Sequence, residues 1–286
     1  MTLSLRKAVG GGYDSFWNCK SRYRVLKGGK GSKKSATTAL NIIYRMMRYS
    51  DANTLVVRQV MDTHRNSTFA QLKWAMEKLK VSHLWKSTVS PMEMTYLPTG
   101  QKILFRGFDD VLKLASTTVS SGYLCWVWIE EAYEIPSESD FDKLDLSVPR
   151  GAVPQPLFKQ TTITFNPWHE GHWLKSRFFD KSSSDASVYS TNYLCNEFLD
   201  DTDRMVFERM KRENPRKYAV AGLGEWGIAE GLVYENWQTL EFDYKDLGID
   251  PHNPEDFEAY TADGLHFNDK GHEKLAALLK NFIEAI

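Results

Sequence analysis

Twenty-five residues near the N-terminus, YRVLKGGKGSKKSATTALNIIYRMM at 23–47, constrain the fold more than any other stretch of the chain. An apolar run leads into a glycine-rich turn, and apolar residues at helical spacing follow, so the segment predicts strand, loop and helix in that order. Gly28, Gly29 and Gly31 would let backbone N–H groups converge on phosphate oxygens, and the helix start adds its positive dipole end. Lys34 would reach the β and γ phosphates, Ser35 would offer its hydroxyl to Mg²⁺, and Lys30, Ser32 and Lys33 complete a nucleotide-binding loop over 28–35. The pattern G-x-x-x-x-G-K-[ST] expects glycine where Lys33 stands. If that position needs positive φ, a lysine there costs roughly 1 kcal/mol or more. The competing reading is a basic glycine-rich turn that holds no ligand.

Short apolar runs alternate with amphipathic stretches along the rest of the chain, the pattern of an α/β domain with a mainly parallel sheet flanked by helices. Strands are expected at 23–27, 54–58, 102–106, 124–129 and 161–165. Helices are expected at 34–48, 63–80, 138–147, 170–178 and 203–213, and SSSDAS at 182–187 reads as a mobile surface loop. With 42% hydrophobic residues among 286, the chain can bury a real core. After Trp237 the signals fade before a final amphipathic helix near 271–286, which places a boundary at 235–245. Neither a signal peptide nor a run of about 18 apolar residues is present, so a cytoplasmic chain, not secreted, is expected.

The net charge of −1 hides an asymmetry: residues 20–34 carry seven Lys or Arg and no acid, and 130–145 carry seven acids against one Lys. A near-neutral chain does not coat nucleic acid by charge alone, so DNA contact would be local or shared among subunits. LCWVWIEEA at 124–132 is an apolar run ending in two carboxylates, as when a buried strand delivers acids to the sheet edge where ligands bind. Glu130 would hold Mg²⁺, directly or through water, and Glu131 would orient and deprotonate the water attacking the γ phosphate. Alternatively, the two glutamates cap a strand in solvent.

KGGKGSKKS, VVRQ, FRGFDDVLKL, WIEEA and TFNP, in that order, resemble the large terminase subunits of tailed bacteriophages, most closely the group from phages and prophages of Gram-positive bacteria. The resemblance covers about residues 1–237. It implies an ASCE-type P-loop NTPase that binds ATP and Mg²⁺ and drives double-stranded DNA into a procapsid as a homo-oligomeric ring, with a portal protein and a small terminase subunit as partners. Lys33 and Glu130 become family traits, and Thr164 and Asn166 match the segment that senses the γ phosphate and couples hydrolysis to movement. Arg58 and Arg106 stand at strand ends as candidate arginine contacts. A helicase- or recombinase-like ATPase, or an inactive truncated or chimeric prophage remnant, remains the alternative.

Relatives continue from a GLVYENW-like segment, here 231–237, into a two-metal nuclease. About fifty residues follow here, so 238–286 reads as a C-terminal tail and nuclease activity is not expected of this chain. The tail resembles the end of SGNH (GDSL-type) hydrolases, where Asp263 and His266 would supply a triad's acid and base, yet no matching nucleophile block precedes them. Phe16, Trp17 and Tyr23 are candidates for stacking adenine, though core packing is the favoured reading. His169 and His172 read as a surface turn, and Cys19, Cys125 and Cys195 as reduced thiols.

Overall fold

The computed structural model describes residues 4–110, 114, 116–228, 253–260 and 267–284. An eight-stranded sheet organises the larger part, with strands β1 (Tyr23–Gly28), β2 (Ala52–Arg58), β3 (Trp85–Val89), β4 (Met92–Tyr96), β5 (Lys102–Gly107), β6 (Tyr123–Glu130), β7 (Gln160–Phe165) and β8 (Ala186–Thr191). Their order is β3-β4-β5-β2-β6-β7-β1-β8. From β5 to β8 every pairing is parallel, while β3 and β4 form an antiparallel extension at one edge. Helices follow in chain order as α1 (Leu5–Val9), α2 (Asp14–Asn18), α3 (Lys34–Arg48), α4 (Thr68–Lys78), α5 (Glu138–Asp145), α6 (Trp173–Phe178) and α7 (Asp201–Glu213).

Parallel strands covered on both faces read as unbroken apolar runs, and β2, β6 and β7 are buried along nearly their whole length. Alternate side chains feed two cores. Leu26, Val56, Trp126 and Trp128 pack with Leu40, Ile43 and Met46 of α3 and Phe69 and Leu72 of α4. Val25, Leu55, Val57, Val127, Ile129 and Ile163 face the other way, onto Phe141 and Leu144 of α5 and Leu174 and Phe178 of α6. The period of two puts Glu130 on the face of Trp126 and Trp128, toward α3.

The five expected strands are present, and β3, β4 and β8 are additions. Residues 186–187, expected within a loop, begin β8, because pairing with β1 supplies the ladder that the serine-rich sequence does not advertise. The expected helix at 63–80 starts later, after a 3₁₀ turn at Met61–His64. Cα packing divides the chain into two compact units, Met1–Glu230 and Gly231–Ile286. The second contains α8 (Pro254–Tyr260) and α9 (Asp269–Glu284), α9 falling where the terminal amphipathic helix is expected. The 231–237 segment, Asp263 and His266 lie outside the described residues. Among the described residues no helix is long and apolar enough to cross a membrane.

Candidate nucleotide site at the carboxyl edge of the sheet

Between β1 and α3 the chain turns through Gly29–Lys33. Gly31 has φ +69°, and Lys33, at the N-cap of α3, has φ 57° and ψ 17°. The left-handed conformation that the missing glycine implies is therefore adopted by a lysine. Its ammonium pairs with Glu197 and lies 5.7 Å from the Tyr13 ring centroid and 5.3 Å from that of Phe198. Glu197 also accepts from the Gly11 N–H at 2.7 Å. Although burial would raise it, the Glu197 carboxyl is held below its ordinary range, chiefly by Lys33. The lysine at this position thus fastens the loop to two distant segments. Lys33→Gly relieves the positive φ as it removes the ion pair, whereas Lys33→Ala removes the pair and keeps the strain. Chemical denaturation should show the alanine variant less stable than the glycine variant by about 1 kcal/mol; equal midpoints would show the strain to be absent.

Other contacts fix the loop from outside. The Tyr13 hydroxyl donates to Ser32 O at 2.5 Å and Asn196 Nδ2 to Gly31 O at 2.6 Å. Gly29 N–H donates to Thr191 O and Lys30 N–H to Ala221 O at 2.6 Å, and a Cβ on Gly29 would lie 2.2 Å from Gly222 O. Gly29, one of the expected phosphate donors, and Lys30 are thus engaged by protein, leaving the N–H groups from Gly31 to Ser35 for an anion. The Lys30 ammonium sits 5.7 Å from the Trp168 ring centroid.

Lys34 Nζ donates to Asn166 Oδ1 at 2.8 Å, and Ser35 Oγ donates to Glu130 Oε1 at 2.5 Å. Thr164 Oγ1 donates to Glu130 Oε2 and receives the Trp128 indole N–H at 2.8 Å. Loop, β6 and β7 therefore meet in one network, and the two oppositely charged stretches of sequence contribute its central residues. Burial lowers the Lys34 pKa, opposed by Glu130 and Glu131; burial and the neighbouring Glu131 raise that of Glu130, opposed by Ser35, Thr164 and Lys34. Asn166 keeps its Nδ2 buried with no hydrogen-bond partner. A buried donor left over beside a lysine suits an anionic oxygen. The hydroxyl and carboxylate of Ser35 and Glu130 form the oxygen-only donor set that Mg²⁺ prefers.

Glu131 follows in left-handed conformation, φ 53° and ψ 47°, and its carbonyl accepts from Glu134 N–H at 2.8 Å. This turn is stitched to its surroundings. Arg58 pairs with Glu134 at 2.9 Å, Trp173 Nε1 donates to Ile135 O at 2.8 Å, and His172 Nε2 lies 3.1 Å from Tyr133 O with the two rings stacked. His172 is thus a clasp and the N-cap of α6, more than a surface turn. Arg106 donates to the Phe105 carbonyl, so each candidate arginine has a partner within the chain.

A cavity of about 410 Å³ adjoins the loop, lined by Val9, Lys34, Thr37, Gln71, Trp74 and Phe198 among others. Phe16, Trp17 and Tyr23 do not line it. Phe16 is buried against Tyr13 and Tyr189, Trp17 packs on Tyr44, and the Tyr23 hydroxyl donates to Asp145. Beside the loop's own residues, Gln71, Trp74, Asn196 and Phe198 line it from segments with no motif of their own, and no sequence signal joins them to the loop.

A mainly parallel sheet with a glycine-rich loop before α3 and a carboxylate pair at the end of β6 defines the class of P-loop NTPase folds. The model for the phage terminase large subunit matches residues 20–225, and the chain belongs to that family. It is 37% identical over 220 residues to the terminase large subunit of Bacillus phage SPP1, spanning 76% of this chain and 52% of that protein. It is 29% identical over 250 residues to the PBSX phage terminase large subunit of Bacillus subtilis, spanning 80% of this chain and 55% of that one. The chain spans about half the length of these relatives. Among solved structures it is similar to the large terminase of a thermophilic bacteriophage in complex with ADP, with TM-score 0.59 at 17% identity, covering 78% of this chain and 54% of that one.

Proposed function

We propose that residues 1–237 form the ATP-hydrolysing motor domain of a DNA-packaging terminase, with 238–286 a separate C-terminal segment. The observation that carries this reading is the network in which Ser35 and Thr164 both donate to Glu130 while Lys34 holds Asn166. In it, the N–H groups from Gly31 to Ser35 and the Lys34 ammonium receive the phosphates. Ser35 and Glu130 would hold Mg²⁺, which would supply positive charge to offset that of the phosphate oxygens. Glu131 takes the proton of the attacking water, and Asn166 Nδ2 donates to an oxygen of the transferred group or to that water. When Lys34 turns toward phosphate, Asn166 loses its ammonium partner, so nucleotide state is felt just past the end of β7. Double-stranded DNA, a portal protein, a small terminase subunit and further copies of this chain in a ring are the proposed partners.

The direct test is Mg²⁺-dependent phosphate release by the purified chain, repeated with duplex DNA and with portal-bearing procapsids. Turnover that needs Mg²⁺ and rises when DNA and procapsids are present supports the motor. Stimulation by DNA equal with and without procapsids would favour a helicase-like ATPase, and no turnover under any condition would favour an inactive remnant.

The purine would enter the cavity beside Trp74 and Phe198. Stacking on an aromatic side chain contributes about 1–3 kcal/mol per base, so Trp74→Ala should raise the KM for ATP roughly tenfold and leave kcat within about twofold. An unchanged KM would remove the base from this cavity.

A further inference from the structure

Trp128 lies two residues before Glu130 on β6, on the same face, with its ring in the core formed with α3. Any large apolar side chain would complete that core. What only an indole adds is an N–H, and here it donates to Thr164 Oγ1 at 2.8 Å. The pairing is not automatic for a buried indole: Trp126, on the same strand and face, keeps its Nε1 buried with no partner.

The direction of this bond is fixed, because an indole nitrogen donates and never accepts. Thr164 therefore has one lone pair occupied by Trp128 and a single proton to give. That proton has two acceptors in reach, Glu130 Oε2 and the Ile129 carbonyl at 3.2 Å, and the carboxylate is the nearer and the charged one. A hydroxyl that is already accepting donates more strongly. On the other oxygen of Glu130, Ser35 donates its own proton, which leaves its oxygen lone pairs for a metal.

We propose that Trp128 is a positioning residue for the metal-binding end of the site, fixing the proton direction of Thr164 so that the Glu130 carboxyl group is held aligned on Ser35. The inference rests on reading Ser35 and Glu130 as the residues that hold the metal. The groups facing Glu130 are Lys34 from α3, Glu131 from the turn, and the hydroxyls of Ser35 and Thr164. Trp128 carries no charge and does not line the cavity beside the loop, so it acts through Thr164.

The experiment compares Trp128→Phe with Trp126→Phe in the full chain. Both lose an indole from the same core, and only the first loses a bonded N–H. Mn²⁺ binding in the presence of ATP-γ-S is read by electron paramagnetic resonance, alongside the Mg²⁺ dependence of turnover. Trp128→Phe should weaken Mn²⁺ binding by about three- to tenfold, the loss of one neutral hydrogen bond in a polarised network, and raise the half-saturating Mg²⁺ by a similar factor. Trp126→Phe should leave both near wild type. Thr164→Val should weaken Mn²⁺ binding at least as much, and adding Trp128→Phe to it should cost nothing more. Equal effects from the two phenylalanine variants, or full additivity with Thr164→Val, would overturn the inference. If instead the unmutated chain hydrolyses ATP without metal, or Ser35→Ala leaves Mn²⁺ binding intact, it is the assignment of the metal end that fails.

Discussion

Replacing Lys34 with alanine should reduce ATP turnover by at least about 10²–10³-fold, the range seen when one preorganised electrostatic donor is removed from developing charge. The side chain is 7% exposed, and its ammonium lies between Asn166 and the Glu130–Glu131 pair. Its loss removes the cation that meets phosphate. It also removes the positive charge that helps keep buried Glu130 ionised, so the Glu130 carboxyl should move further upward. Two consequences separate this from simple unfolding. Asn166 Oδ1 becomes a buried acceptor without its donor, which costs about 1–3 kcal/mol and should lower the thermal midpoint by several degrees while leaving a cooperative transition. Lys34→Arg keeps the charge but brings a planar fork into a space built for one ammonium, so it should recover stability more than turnover. Near-normal hydrolysis in Lys34→Ala, with the protein folded, would remove the phosphate site from this loop.

How far the sequence foretells this arrangement depends on where each residue sits. The central strands β1, β2, β5, β6 and β7 are readable because buried parallel strands carry short runs of apolar and β-branched residues: VL, LVV, ILF, CWVWI and TTITF. The β3–β4 hairpin is not: WKSTV and MEMTY extend the sheet at one edge with one buried position each, and their composition resembles a surface loop. β8 hides for the same reason, since ASVYST buries no side chain fully and pairs with one neighbour only. A strand whose evidence is its ladder leaves little trace in its own residues.

The site divides along a similar line. Lys34, Ser35, Glu130 and Glu131 belong to contiguous motifs whose chemistry is local, so their spacing announces them. Lys33 was legible as an anomaly, and the structure gives its physical basis in Glu197, 164 residues away. Tyr13, Asn196 and Trp74 reach the loop only through the folded chain. Trp128 was visible as part of an apolar run, but the use of its N–H depends on Thr164 standing opposite Glu130 across the β6–β7 pair. Polar atoms on otherwise apolar side chains are where a pattern of hydrophobicity is blind.

Replacing Glu131 with glutamine should leave ATP bound and uncleaved, with turnover reduced by about 10²–10⁴-fold, the usual contribution of a positioned general base. Glutamine has nearly the same shape and can still hydrogen-bond a water, so what disappears is the basicity. The backbone there is held in the left-handed region at φ 53°, a conformation that costs about 1–2 kcal/mol for a residue with a Cβ. The surrounding turn sustains it through Arg58 and Glu134 and through Trp173 and Ile135. Glutamine meets the same backbone demand, so stability should change little. The effect on the neighbour has a definite sign. Glu131 is one of the causes that raise the Glu130 pKa, after burial itself. Neutralising it lowers that pKa toward the ordinary carboxylate value and holds Glu130 ionised to lower pH. Metal-dependent binding of ATP should then persist further into acid in Glu131→Gln than in the unmutated chain, while cleavage is lost at every pH. Glu130→Gln should do the opposite, weakening metal-dependent binding first. A filter-binding titration of labelled ATP across pH, with single-turnover cleavage measured on the same samples, distinguishes the two. If Glu131→Gln lost binding and cleavage together, the two glutamates would not divide their labour between metal and water.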